Sequence, residues 1–214
     1  MEDILTLLKE RKTKEIIRTI TQNDDLKDFT DSNGTSLLLL SAYYGNKELT
    51  NFLLEIKNDL TIFEASACGK LDDVKSIVAK DPNLIKTFAP DGFTALGLAS
   101  FFSQESVVEF LLHAGADPRQ PSMNAFKVAP LHSAAAVKNI TIAKLLLENG
   151  ADVNASQQEG VTPLHSAAHN NDKPMAELLL QHKADRQAKT ESGKTPFDFA
   201  LETKNDELIQ LLQI

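Results

Sequence analysis

The stretch Gly160 to Ala168, GVTPLHSAA, returns at a fixed distance on either side: GKTPFDFAL begins 33 residues later at Gly193, and KVAPLHSAA 33 residues earlier at Lys127. Weaker copies, GFTALGLAS and GTSLLLLSA, begin at Gly92 and Gly34. No other feature constrains the fold as much. Self-similarity at such a period marks a solenoid, because one unit cannot bury its apolar face alone and neighbours must stack to do so. Each unit then touches its neighbours alone and chain length counts units. The 214 residues therefore read as one elongated domain.

Local chemistry within a unit supports helices. Thr162 and Thr195 precede Pro163 and Pro196, a cap hydroxyl followed by proline at the first helical position, where a missing N–H does no harm. Ala167 and Ala168 are small enough for two helices to approach closely, and Leu178, Leu179 and Leu180 supply the buried side. The pattern GxTPLHxAA, followed by an apolar LLL run and then GAD, resembles the ankyrin repeat over about residues 31–214. The resemblance implies an all-α ankyrin-repeat solenoid of about seven helix pairs with β-turn or hairpin fingers. It also implies a function in binding other proteins, without naming the partner.

Taken in order, residues 1–30 hold two apolar segments, Ile4, Leu5, Leu7, Leu8 and then Ile16, Ile17, Ile20, on either side of the charged turn Glu10 to Lys14. That spacing predicts two short antiparallel helices. Charge-rich and without the TPLH signature, they suit an N-terminal capping pair, since a terminal unit turns one face to water. Lys9, Arg11, Lys12, Lys14 and Arg18 read as a solvated face, being interrupted by Glu10 and Glu15. Residues 31–192 carry the repeats, and 193–214 are polar enough, through Glu202, Lys204, Asn205, Asp206, Glu207 and Gln210, to close the stack. The finger is missing or stunted between Lys57 and Thr61, so the binding edge is notched there, and the longest finger runs from Pro118 to Ala129. The loop DPNLIKTFAPDG before Gly92 resembles those of bacterial ankyrin proteins.

A formal charge of −8 argues against affinity for nucleic acid or anionic membranes, which depends on basic patches. No apolar run reaches the roughly 20 residues a membrane span needs. The start, MEDILTLLKERK, reverses the charge order of a secretory signal. These features predict a cytoplasmic protein, not membrane-bound, monomeric and without a cofactor. The lone Cys68 fits a reducing compartment.

Several residues invite chemistry. His165 and His169 are four apart on one predicted helix and could share a metal. However, no acid lies between them, and His165 and His132 match the histidine of TPLH, which in the family that the pattern resembles is a structural hydrogen-bonding group. His113 and His182 sit near helix ends, where imidazoles favour the last carbonyls. Gly193, Lys194 and Thr195 look like the end of a phosphate-binding loop, but position 188 is alanine where that loop needs glycine. Cys68 reads as a small buried or half-buried thiol, because a nucleophile needs a histidine and an orienting partner beside it. An enzyme or metal protein using Cys68, His165 or His169 is the alternative to a binding protein, and a second copy of the chain is one conceivable partner.

The binding reading is sharper. In ankyrin repeats the two residues after the AA pair face the concave groove; here they are Tyr43 and Tyr44, Ala67 and Cys68, Phe101 and Phe102, Ala136 and Val137, His169 and Asn170, Glu202 and Thr203. The first four pairs are apolar and the last two polar. Leu96, Val108, Leu111 and Leu112 already point inward in this register, which leaves the Phe pair exposed. Tyr43, Tyr44, Phe93, Phe101, Phe102, Met123 and Phe126 are thus the expected protein-binding residues, serving an adaptor or inhibitor.

Overall fold

The computed structural model describes residues 3–213. Met1 and Glu2, part of the charge order read at the start, and Ile214, in the last unit, lie outside the described residues. The described residues form seven antiparallel helix pairs: α1 (Ile4–Lys9) with α2 (Thr13–Gln22), α3 (Leu37–Tyr43) with α4 (Lys47–Ile56), α5 (Ile62–Ala67) with α6 (Leu71–Lys80), α7 (Ala95–Phe101) with α8 (Glu105–His113), α9 (Pro130–Ala136) with α10 (Ile140–Glu148), α11 (Pro163–His169) with α12 (Lys173–Gln181), and α13 (Pro196–Thr203) with α14 (Asp206–Leu212). This is the expected all-α solenoid.

Short helices need good ends, since the first four N–H groups of each have no partner within the helix. Ser36 accepts from the Leu39 N–H at 3.3 Å, Thr94 from Gly97 at 3.0 Å and Thr195 from Asp198 at 3.4 Å. The second helices use Asn46, Asn139, Asp172 and Asn205 in the same way. Between the two helices of each pair one residue takes the left-handed conformation: Arg11, Gly45, Gly69, Ser103, Lys138, Asn171 and Lys204.

Five of the six links between pairs are long. Four of them span 14 residues and the one at 114–129 spans 16, which makes it the longest finger, as expected. Two antiparallel bridges, Thr30 with Ser36 and Phe88 with Thr94, close fingers without extended strands. Neighbouring fingers are tied by backbone bonds: Met123 N–H to Gly92 O at 2.8 Å, Gln158 N–H to Phe126 O at 2.9 Å, and Glu191 N–H to Glu159 O at 2.8 Å. The sixth link, residues 57–61, has no finger. An ion pair takes its place: the Lys57 ammonium lies 3.2 Å from Glu64 Oε1 and 3.0 Å from Asp28 Oδ1. Burial opposes ionisation of Glu64, but the Thr61 N–H, the Ser36 hydroxyl and Lys57 outweigh it and hold the carboxyl below its ordinary value.

The core falls into two main clusters. One runs from Ile4 to Leu53 and the other from Ile62 to Leu212, with Leu60 packed against both. Leu96, Val108, Leu111 and Leu112 are buried, as expected. The run Leu178 to Leu180 departs from expectation: Leu179 alone is fully buried and its neighbours are half-buried. Consecutive residues on a helix lie about 100° apart, so three in a row cannot share one face. Met175 and Ala176 complete the buried stripe.

Candidate functional site: an aromatic groove

The inner helices α3, α5 and α7 end side by side. α5 has six residues where its neighbours have seven, because Cys68 already leaves the helix and the left-handed Gly69 follows. Ala67 at its end is buried, and the space above so small a residue is taken by rings from either side. Tyr43 and Phe102 meet across α5 with centroids 5.3 Å apart. Phe101 stands edge-on to Phe102 at 5.1 Å and lies 6.1 Å from Tyr43.

The Tyr43 hydroxyl donates to Asp91 Oδ2 at 2.7 Å, and Asp91 Oδ1 accepts from the Phe93 N–H at 3.1 Å, so the trio is tied to the base of the next finger. Burial, together with the hydrogen bond to Asp91, pushes the Tyr43 phenol far above its ordinary range, which keeps it a neutral donor. Gln104 Nε2 adds a further bond across the short unit, donating to Ala67 O at 3.0 Å.

The seven residues singled out in the sequence therefore divide. Phe101 is 39% exposed, Tyr44 44%, Met123 72% and Phe126 59%. Tyr43, Phe93 and Phe102 are half-buried, packed with Leu39, Ala89 and Leu98. One member of each aromatic pair faces solvent, and its mate supports it. Tyr44 lines an adjoining depression with Leu8, Arg11 and Lys47. Met123 is joined by its backbone to the finger that carries Phe93, and Phe126 to the following finger at Gln158.

Phe199 was missed. It lies 5.6 Å from His165 and 5.9 Å from His169, both edge-on, with the Lys194 ammonium 5.4 Å from its centroid. With Ala136, Gln157 and Asn170, the three rings of Phe199, His165 and His169 line a further depression of about 330 Å³, so the C-terminal half of the groove is less polar than its terminal pairs suggest. The signal was available one turn earlier in the repeat, at the column that holds Leu40, Leu98, Ser133 and Ser166.

The candidate chemical residues have structural surroundings. His165 Nε2 donates to Lys194 O at 3.1 Å, while Nδ1 accepts from the Thr162 N–H at 3.2 Å and lies 2.8 Å from the Thr162 hydroxyl. His132 Nε2 meets Val161 O at 3.1 Å, but its Nδ1 has no partner, since Ala129 stands where Thr162 stands later. Burial lowers both imidazoles, His132 to about 4. Among the described residues no cluster of three His, Cys, Asp or Glu side chains is arranged to hold a metal. The Cys68 thiol is raised to about 11 by burial and then by the charge of Glu64, so at neutral pH it is protonated and unreactive. Thr195 and Pro196 cap and start α13, which accounts for Gly193 to Thr195 as a turn. His113 ends α8, and the backbone N–H of His182 bonds the last carbonyls of α12. No helix among the described residues is long and apolar enough to cross a membrane.

Comparison with known proteins agrees with this geometry. The chain is 32% identical over 145 residues to neurogenic locus notch homolog protein 1 of Xenopus laevis, covering 62% of this chain and 6% of that protein. It is 30% identical over 137 residues to the Danio rerio protein of the same name, covering 60% and 6%. It is 35% identical over 109 residues to ankyrin repeat and SAM domain-containing protein 6 of Rattus norvegicus, covering 50% and 12%. The chain thus spans at most about an eighth of the length of these relatives. Ankyrin repeats are in general protein–protein interaction modules. The family model for ankyrin repeats, in three copies, matches residues 5–122, 62–157 and 131–213, and the chain belongs to the ankyrin-repeat family.

Proposed function

We propose that this protein works by noncovalent binding of a protein partner through its concave groove and fingers, as an adaptor or inhibitor. The observation that carries the reading is Phe101: an exposed ring on two half-buried ones, with Tyr43 fixed to Asp91. An aromatic anchor held rigid before binding loses little side-chain freedom on association, which is what a binding hot spot needs. Tyr44, Met123 and Phe126 add exposed apolar surface to the same reading, and Tyr43, Phe93 and Phe102 support it from beneath. The protonated Cys68 thiol and the hydrogen-bonded His165 supply no nucleophile or base, which favours binding over catalysis.

The reading extends to a cytoplasmic monomer with no cofactor and no nucleic-acid ligand. In it, residues 1–30 and 193–214 cap a stack formed by 31–192. The exposed Lys14, Glu15 and Arg18 at one end, and Glu202, Glu207 and Gln210 at the other, suit water-facing ends.

The test is a titration of Phe101→Ala and Tyr44→Ala against the partner that co-purifies from the native host, with thermal melts alongside. Each should lose about 2 kcal/mol of binding, roughly thirtyfold, and melt close to the parent. Glu202→Ala should change affinity far less. Normal binding by both aromatic variants would refute the groove, and self-association in sedimentation would make the partner a second copy.

A further inference from the structure

The turn between the two helices of each pair repeats along one edge of the solenoid, and that rim is basic in a chain of net charge −8. Arg11, Lys138 and Lys204 occupy the left-handed position itself, and Lys47 and Lys70 lie one or two residues beyond it in their own units. All five are exposed, and among the described residues none lies within 4 Å of a carboxylate. The fingers show the opposite. Asp31, Asp117, Asp152 and Asp185 each accept the backbone N–H two residues on, so these acids are engaged in their own turns.

At its N-terminal end the rim meets apolar surface. The depression beside Tyr44 and a second one of about 290 Å³, reaching to Phe102 and Gln104, share Gly45 and Lys47 and so form one continuous strip. Arg11 and Lys47 edge the strip, Tyr44 and Phe102 line it, and Glu48 is the one acid on its wall. Four units stacked at about 10 Å span roughly 30 Å, the reach of an extended segment of about ten residues.

We infer that the groove takes an acidic, apolar-studded peptide segment of its partner, with the carboxylates over Arg11 and Lys47 and the apolar side chains against Tyr44 and Phe102. The inference rests on the groove reading above and names the chemistry of what fills it. Paired charges at such a rim steer association and set register, and they weaken with salt.

The probe is a fluorescein-labelled peptide of about ten residues alternating glutamate with leucine, titrated by anisotropy against the full chain. Its lysine–leucine counterpart, an all-glutamate peptide and a single-stranded oligonucleotide serve as comparisons. The glutamate–leucine peptide should bind at least tenfold tighter than the other three and weaken as salt rises. The Arg11→Glu/Lys47→Glu variant should lose at least tenfold, and Arg11→Ser/Lys47→Ser a smaller amount, with unchanged melts. Equal binding of the glutamate and lysine peptides, or indifference to both double variants, overturns the inference. An oligonucleotide that binds as well as the peptide also overturns it, by making the rim a nucleic-acid surface. If the co-purified partner still requires Phe101 and Tyr44 while the double variants bind it normally, this inference falls and the groove reading stands.

Discussion

His132 and His165 occupy equivalent positions, yet one is satisfied and the other is not. Thr162 supplies a hydroxyl 2.8 Å from His165 Nδ1, whereas Ala129 leaves His132 Nδ1 buried without a partner. Ala129→Thr should restore that bond. The site has room: Ala129 is 3% exposed, and the threonines at the equivalent positions 94 and 162 are accommodated at 6% and 5%. An added hydroxyl at this cap is worth about 0.5–2 kcal/mol, and a net hydrogen bond to a buried acceptor about 0.5–1.5 kcal/mol. Because these describe overlapping contacts and the new side chain must be ordered, the expected gain is about 1 kcal/mol, or roughly 2–4 °C in the melting midpoint of a chain this size.

Thermal and urea unfolding of the variant, and of the reverse change Thr162→Ala, provide the assay. Thr162→Ala should lose about 1–2 kcal/mol, since it removes an existing cap. The gain should also vanish in a His132→Leu background, where no imidazole awaits the hydroxyl. An unchanged or lower midpoint for Ala129→Thr would refute the reasoning. An equal gain without His132 would show that the backbone cap, and not the orphaned nitrogen, is responsible.

Lys57→Met should leave Glu64 buried without its cation and lose about 3–5 kcal/mol in urea unfolding; the parent should itself lose stability as pH falls below 4.5, the ordinary value from which the folded Glu64 is lowered. His132, lowered from 6.5 to about 4, binds its proton first in the unfolded chain, so its contribution is complete above pH 6.5 and is lost as pH falls towards 4. A pH series of midpoints should show that slope, on the order of 3 kcal/mol in all, and His132→Leu should flatten it. Gly92→Ala places a Cβ 2.8 Å from the Asn124 backbone nitrogen at φ +87°, so it should lose at least about 2 kcal/mol and hydrogen-exchange protection at Met123; Gly45→Ala, at φ +64° in open space, should lose about 1 kcal/mol and leave that amide unchanged.

What the sequence made legible is what local chemistry decides. Thr195 with Pro196 gives a helix start wherever it occurs, and the missing finger at 57–61 was a matter of counting residues. The exposure of the aromatic pairs was half legible, because register chooses a face of the helix but not which of two adjacent rings a neighbouring unit will cover. Phe102 is covered because α5 is a residue shorter than α3 and α7, and Tyr43 can cross to meet it. Phe199 escaped because it lies one turn before the pair that was compared. The Lys57–Glu64 pair escaped because it is a tertiary contact between a link and the cap of the helix after it, for which the repeat pattern has no column.

These features meet at one place, the junction between the second and third helix pairs. The two main core clusters meet there, joined by Leu60 and by the small cluster of Leu39, Ala67, Ala89 and Leu98, and no finger reinforces the link. The N-caps of α8, α10 and α14 reach back to the unit before, Gln104 to Ala67, Asn139 to Glu105 and Asn205 to Asn171, and Asn170 at the end of α11 reaches Ala135. At α6 the corresponding residue is the exposed Lys70. What spans the junction instead is the Lys57 ion pair on one side and, on the groove side, Tyr43 reaching over α5 to Phe102 and Asp91. The rings that support Phe101 are therefore also struts of that joint. A partner seated on Phe101 would bear on both sides of that joint at once, so binding at this groove and the stiffness of the stack are coupled through the same side chains.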